Sequence, residues 1–174
     1  MVSFGQDDPV LIVRATQKLL QRVGPPTLQD GEQSTTLLGE WYATALFWRP
    51  QVALLVNETT LLPALMPLAP AATLPTRVAE QIATVLAAHR TPSAIVDDEL
   101  HRMRPCRLAR TVNRSVVGVM TEFTQLAEVY RDSNPDPDLL HLALRLATTP
   151  CGPLYGRNVS PDRELGALLR SIIT

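Results

Sequence analysis

The chain has 174 residues, of which 45% are hydrophobic and 19% are charged, and its formal net charge is −1. This composition is typical of a globular domain with a buried core, and it excludes an intrinsically disordered chain. A net charge so close to zero also excludes a general electrostatic attraction to nucleic acid or anionic lipid, so any such binding would depend on a local patch.

The N-terminus and the cysteines predict a cytoplasmic protein. Residues 1–8 contain no basic segment followed by a long apolar run, so we expect a flexible N-terminal segment and no secretory signal peptide. Residues 59–76 are uncharged, but four prolines interrupt them and would break a membrane-spanning helix. We therefore expect no membrane segment. Cys106 and Cys151 lack the spacing of a metal or redox motif, so we expect them to be reduced core thiols.

The first half of the chain predicts strands around one short helix. Residues 10–13 form an apolar, β-branched run typical of a buried strand, and Thr16 is expected to cap a helix that ends at Gly24. A polar loop is expected over residues 27–36. Three apolar runs follow, separated by breaks of hairpin length: residues 42–48, 52–56 and 61–66. We expect these runs to form an antiparallel meander.

The second half predicts helices, each with a start signal. Apolar residues recur with helical spacing from Val78 to Leu86, and again from Val116 to Tyr130 behind Asn113 as the N-cap. The other predicted starts are at Thr91-Pro92, Asp136-Pro137 and Ser160-Pro161, and a short strand is expected at residues 106–110. We predict one globular α+β domain over residues 9–174, in which a small, mainly antiparallel sheet from the N-terminal half packs against a helical C-terminal half.

Four segments, taken in order and spacing, resemble a bacterial family of small stand-alone proteins described as a domain of unknown function. They are TQKLL at residues 16–20, LGEWYA at 38–43, NETTL at 57–61 and NRSVVG at 113–118. The resemblance covers about residues 10–155, and it departs from the family pattern at residues 120–122. It implies a single cytoplasmic domain, carries no activity with it, and directs attention to Thr16, Lys18, Trp41, Asn57, Glu58, Asn113, Arg114 and Ser115.

A run of arginines is the strongest candidate site. Five of them lie within thirteen residues, with no acidic residue between Glu99 and Glu122: Arg102, Arg104, Arg107, Arg110 and Arg114. The run leads to the start of the predicted long helix, where unpaired N–H groups and the positive end of the helix dipole favour an anion. We expect a phosphate or carboxylate site formed by Lys18, Arg110, Asn113, Arg114 and Ser115. Alternatively, the arginines pair with surface carboxylates and Asn113 only caps the helix.

Three further residues are secondary candidates for the site, and two interpretations of them remain open. Asn57 and Glu58 lie between two predicted strands, which suits a hairpin turn in which Asn57 tolerates a left-handed conformation, but Glu58 is also a candidate general base or metal ligand. Trp41 either packs in the core or contributes, with Tyr42 and Trp48, to a stacking platform.

No metal or cofactor is predicted. Asp97, Asp98 and His101 share a helical face, but no second histidine lies nearby to complete a metal site. The chain contains no glycine-rich phosphate loop and no recognisable nucleophile motif.

The leading functional prediction is a non-enzymatic binding or regulatory domain that recognises an anionic, phosphate-containing small molecule or nucleic acid. The first alternative is a cofactor-independent enzyme acting on a nucleotide or nucleic-acid phosphate, with Glu58 or Glu122 as the base and Arg110 or Arg114 stabilising charge in the transition state. The second alternative is a protein-interaction module that exposes the apolar residues 61–74 as a patch.

Overall fold

The computed structural model describes residues 8–174, so the predicted flexible segment lies almost entirely outside the described residues. Five strands are present: β1 (Leu11–Ala15), β2 (Trp41–Leu46), β3 (Val52–Asn57), β4 (Pro63–Pro67) and β5 (Cys106–Arg110). Six α-helices accompany them: α1 (Gln17–Val23), α2 (Leu74–Ala88), α3 (Ser93–Arg102), α4 (Arg114–Ser133), α5 (Leu139–Leu146) and α6 (Pro161–Ile173). The predicted α+β class is therefore confirmed.

The five strands form one mixed sheet in the order β4-β3-β2-β1-β5. Strands β2, β3 and β4 form the predicted antiparallel meander. The sheet is mixed, because β1 pairs in parallel with both β2 and β5. Hairpin-length breaks mark antiparallel neighbours along the chain, whereas parallel pairs form through long crossovers that leave no local signal.

Helices cover both faces of this sheet. On one face Trp41, Ala43 and Leu55 pack in a core that includes residues of α1, α2 and α6. On the other face Tyr42 and Leu54 belong to a second core built with α4 and α5. Residues of β2 and β3 are therefore buried on both sides, which explains why these strands read as nearly continuous apolar runs.

Several predicted local features are corrected in detail. The side chain of Thr16 makes no cap hydrogen bond in α1 and pairs instead with the hydroxyl of Thr44. Helix α5 is capped by Asp138 and not by the predicted start at residues 136–137. Helix α3 begins at Ser93, with Pro92 in the cap position. In each case the pattern located the helix but not the details of its cap.

The apolar stretch expected as an exposed patch is largely interior. Its residues form β4 and the approach to α2, and Leu62, Leu65 and Leu74 are each at most 1% exposed. These side chains belong to the two cores. Strand β4 lies at the edge of the sheet, and α5 packs on it. No helix among residues 8–174 is both long enough and apolar enough to cross a membrane.

Candidate ligand-binding cleft

The connections that follow β1 and β5 leave the sheet toward opposite faces. Helix α1 follows β1 and places Leu19 in the core that contains Trp41. Helix α4 follows β5 and places Phe123 in the core that contains Tyr42 on the other face. Because β1 and β5 are parallel neighbours, their carboxyl ends open between α1 and α4. Ligands of open α/β sheets bind in crevices of this kind.

A cleft of about 320 Å³ lies between α1 and α4. One wall comes from the end of β1, the start of α1 and β2: Thr16, Lys18 and Thr44. The other wall comes from α4: Val117, Met120, Thr121, Thr124, Gln125 and Glu128. The cleft therefore joins hydroxyl, amide and charged groups from α1 with its N-cap, β2 and α4.

Hydroxyl groups give this cleft hydrogen-bonding capacity. The oxygens of Thr16 and Thr44 lie 2.9 Å apart, so one hydroxyl donates to the other. On the opposite wall the hydroxyl of Thr121 donates to the carbonyl of Val117, and that of Thr124 donates to the carbonyl of Met120. Each hydroxyl oxygen retains lone pairs that can accept further hydrogen bonds.

Lys18 and Arg114 supply positive charge at this cleft. Lys18 is exposed and lines it, and no carboxylate of residues 8–174 forms a salt bridge with Lys18 or Arg114. Arg114 precedes Val117 and Thr121 by three and seven residues, a spacing that puts all three on one face of α4. Lys18 therefore lines the crevice, and Arg114 shares the helical face of two residues that line it.

The other members of the predicted arginine run do not converge there. Arg102, Arg104 and Arg107 pair with Asp98, Glu80 and Glu32, respectively, at 3.2, 3.0 and 3.2 Å. Arg110 is exposed at the end of β5, and its backbone carbonyl accepts a hydrogen bond from Arg14. Side chains three residues apart in a strand point to opposite faces, so Arg107 and Arg110 cannot face the same ligand.

Asn113 has the predicted capping role at the start of α4. Its Oδ1 accepts hydrogen bonds from the N–H groups of Ser115 at 2.9 Å and Val116 at 3.3 Å. Two of the leading amides expected to bind an anion are thus already paired. Ser115 is exposed, and its amide is one of the two.

Asn57 organises the turn between β3 and β4 and is fully buried. Its side-chain N–H donates to the carbonyl of Leu38 at 2.9 Å, and its Oδ1 accepts from the N–H and hydroxyl of Thr60. The positive φ of the turn, 61°, occurs at Leu61 and not at Asn57 as predicted. Asn57 stabilises the turn through its side chain and makes no contact with the cleft.

Glu58 belongs to a separate group of charges near the start of β2. It is half-buried, and its Oε1 accepts a hydrogen bond from the N–H of Glu40 at 3.2 Å. Burial raises the pKa of Glu58, and the nearby Glu40 carboxylate raises it further, although the Glu40 N–H and Arg14 oppose the change. Arg14 itself pairs with Glu40.

Gly39 explains how Glu58 comes so close to the chain before β2. Gly39 has a φ of 81°, and a Cβ there would lie 2.9 Å from Oε1 of Glu58. A larger residue would therefore be strained and would displace the carboxylate.

The aromatic residues are not arranged as the predicted stacking platform requires. Trp41 and Trp48 are 0% and 7% exposed, so they pack in the core. Phe47, which directly follows β2, is 53% exposed. Its ring centre lies 5.6 Å from Nζ of Lys18 and 5.4 Å from Cζ of Arg22. Phe47 lies in a segment that was predicted as a strand, and nothing in the sequence indicated that its side chain is exposed.

The polar residues of α4 in the cleft were also missed from the sequence. Thr121, Gln125 and Glu128 recur at intervals of four and three residues, which places them on one helical face. That stripe was a detectable signal, but a polar face is the ordinary solvent-exposed side of an amphipathic helix. Only the approach of α1 turns this face into a cleft wall.

One protein-family model matches nearly all of residues 8–174. The model of DUF6933, a domain of unknown function, matches residues 12–164. The chain belongs to the DUF6933 family. Neither the curated proteins nor the solved structures contain a match. Every residue that lines the cleft lies within the DUF6933 match, so the cleft is part of this domain.

The predicted pair of acidic residues in α3 of the DUF6933 domain is engaged in local contacts. Asp98 pairs with Arg102, and Nδ1 of His101 lies 2.7 Å from the carbonyl oxygen of Asp97. Within the described part of the chain, no three histidine, cysteine or acidic side chains are grouped closely enough to hold a metal ion.

Proposed function

We propose that this DUF6933 chain is a non-enzymatic binding or regulatory domain that binds a phosphate-containing anion in the cleft between α1 and α4. The observation that carries the proposal is the position of Lys18, whose side chain lines a crevice at the carboxyl ends of parallel strands. The hydroxyls of Thr16 and Thr44 lie in the same crevice. One of these hydroxyls donates to the other, so the second retains its hydrogen and can donate to a phosphate oxygen beside the ammonium group of Lys18.

Arg114 strengthens this site without forming its floor. It shares one helical face with Val117 and Thr121, which line the cleft, whereas Arg110 lies at the end of β5 and does not line it. The long side chain of Arg114 adds positive potential at the entrance, which raises the local concentration of anions. In this proposal Asn113 and Ser115 set the start of α4, because the Asn113 side chain already occupies the N–H of Ser115.

The positions of the carboxylates favour binding over the enzymatic alternative. A general base must reach the reacting group within hydrogen-bond distance. Glu58 and Glu122, the two bases that the enzymatic alternative requires, do not line the cleft; the carboxylate that does, Glu128, was not part of that alternative. Glu58 instead points to the N–H of Glu40.

A cytoplasmic location is also part of this proposal. Cys106 and Cys151 are both free thiols, which is the usual state of cysteines in a reducing compartment. Phosphorylated small molecules are available to a protein in that compartment.

Thermal unfolding with inorganic phosphate tests the proposed function. Phosphate is titrated at constant ionic strength, and the Tm of the wild type is expected to rise because ligand binding stabilises the folded state. Lys18→Ala and Arg114→Ala should each weaken phosphate affinity about tenfold, as expected for loss of a charge-assisted contact. Arg163→Ala is the matched control, since Arg163 is exposed on α6 and does not line the cleft.

The outcome separates a specific site from a general salt effect. A Tm that rises equally in all four proteins would mean that phosphate acts without the cleft. A wild-type Tm that does not change with phosphate would overturn the proposed function.

A further inference from the structure

Phe47 is an exposed aromatic ring beside the cationic wall of the cleft. The two flanking cations, Lys18 and Arg22, are four residues apart on α1 and therefore project from the same side of that helix. Both lie over the ring, at 5.6 and 5.4 Å from its centre, and the residue is still 53% exposed. A partly exposed aromatic ring among basic side chains is a feature on which nucleobases stack.

The direction of α4 gives the order of groups along the cleft. At its start, the N–H of Asn113 lies 3.1 Å from the phenol oxygen of Tyr42. Near its end, Cζ of Arg131 lies 4.8 Å from the centre of the Trp48 ring. Helix α4 therefore runs along β2 from Tyr42 toward Trp48, which is the neighbour of Phe47.

The side chains on the cleft wall follow this direction. Arg114 begins the helix, Thr121 and then Gln125 follow on the wall, and Glu128 comes last, three residues before Arg131, which contacts Trp48. Lys18 connects the two regions, because it lines the cleft and its Nζ lies near the Phe47 ring. The sequence of groups is thus cation and hydroxyl, then amide and carboxylate, then an exposed ring.

We propose that the anion is the phosphate of a nucleotide whose base stacks on Phe47, an inference that rests on the proposed function. The phosphate lies between Lys18 and Arg114, and the ribose hydroxyls donate to Glu128, since carboxylates are common acceptors for ribose hydroxyls. The base stacks on the exposed part of the Phe47 ring, and the Lys18 and Arg22 side chains that lie over the ring remain in contact with it. The three parts of a nucleotide then match the three regions of the cleft in order.

The cleft favours a free nucleotide over a nucleic-acid strand. Its volume of about 320 Å³ is of the size typical for small-molecule sites. A strand would have to continue past Glu128, whose carboxylate repels a further phosphate. The formal net charge of −1 also provides no extended attraction for a polyanion.

Isothermal titration of the full chain with adenosine 5′-monophosphate, ribose 5-phosphate and inorganic phosphate tests the inference. The wild type should bind the nucleotide about tenfold more tightly than ribose 5-phosphate, because one stacked base contributes roughly that factor. Phe47→Ala should bring the two affinities close together while leaving that for ribose 5-phosphate unchanged. Tyr155→Ala is the matched control, since Tyr155 is 64% exposed and lies outside the cleft.

Each result has one interpretation. Equal affinities of the wild type for the nucleotide and ribose 5-phosphate would overturn base stacking on Phe47, while Lys18-dependent phosphate binding would still support the anion site. Failure of all three ligands to bind would overturn both proposals. Tighter binding of a short single-stranded oligonucleotide than of the nucleotide, abolished in Phe47→Ala, would overturn the assignment to a free nucleotide. Phe47→Leu checks that any loss follows from the aromatic ring and not from a change in folding.

Discussion

The backbone N–H of Asn113 donates a hydrogen bond to the phenol oxygen of Tyr42 at 3.1 Å. Tyr42 is 1% exposed in the middle strand of the sheet, and Asn113 is the N-cap of α4. This contact joins the start of the long helix to the sheet, and together with the apolar packing of α4 it positions one cleft wall.

Replacing Tyr42 by phenylalanine tests this connection. Tyr42→Phe should lower the free energy of unfolding by about 1 kcal/mol, because the partly buried N–H of Asn113 loses its acceptor. Urea denaturation monitored by circular dichroism measures the change. Tyr155→Phe, at an exposed tyrosine, should remain within about 0.5 kcal/mol of the wild type. Equal stabilities of Tyr42→Phe and the wild type would show that the contact contributes nothing.

Loss of the buried side-chain amide of Asn57 is predicted to lower the free energy of unfolding by a larger amount. Asn57→Ala should destabilise the protein by about 3 kcal/mol, since it leaves the Leu38 carbonyl and the Thr60 N–H without their partners in the interior. Asn57→Asp should also destabilise it, because a carboxylate would face the Leu38 carbonyl. Chemical denaturation compares both with Asn134→Ala, which changes an exposed asparagine. A loss no greater than in that control would contradict the assigned role.

The burial of the Glu99 carboxyl group predicts that the folding stability depends on pH. This residue is 0% exposed and accepts the N–H groups of Leu37 and Leu38 at 2.7 and 3.0 Å. Burial raises the pKa of Glu99 above its ordinary value of 4.5, although these two donors lower it in part. The folded protein therefore keeps the proton at pH values where the unfolded chain has released it, and stability falls as the pH rises above about 4.5.

Glu99→Gln should remove this contribution. In urea denaturation from about pH 4 to pH 7, the stability of the wild type relative to Glu99→Gln should decline as the pH rises. Glu122→Gln, at an exposed position, should show no such trend relative to the wild type. Parallel pH profiles of Glu99→Gln and the wild type would contradict the raised pKa.

The two cysteines should react slowly in the folded protein. Burial raises the pKa of Cys106 to about 12 and that of Cys151 to about 11. Because the thiolate is the reactive form, alkylation of Cys151 at pH 8 should be about a hundredfold slower than that of an unperturbed thiol, and alkylation of Cys106 slower still. Mass spectrometry after timed iodoacetamide treatment, with and without urea, measures both rates. Rapid labelling of either thiol in the folded protein would refute the prediction.

The elements of the fold were largely predictable because their signals are local. Helix α4 shows this most clearly, since the Asn113 cap and the apolar stripe from Val116 lie within one continuous segment. The meander of β2, β3 and β4 was predictable for the same reason. The parallel pairing of β1 with β5 was not, because some ninety residues separate the two strands and no residue in either one specifies its partner.

The candidate site was predictable only in part. Lys18 and Arg114 were selected as cations, but Arg102, Arg104 and Arg107 were grouped with them only because they are close in sequence. Each of these three finds an acidic partner, which only the packing of the elements determines. Phe47 and Glu128 carried no signal of their own, because an aromatic residue in a strand and a glutamate on a helix are both ordinary in a protein without a site there.

The amino-acid sequence by itself determined the class of the domain, the positions of its strands and helices, and the cap of α4, since each depends on residues within a few positions of one another. Only the tertiary structure decided that the sheet is mixed and that α1 and α4 leave it on opposite faces. The same packing brings Lys18, Thr44 and Glu128 into one cleft. The physical reason is that a cleft forms between surfaces contributed by distant segments, and their approach is set by burial of the two cores and not by any local pattern.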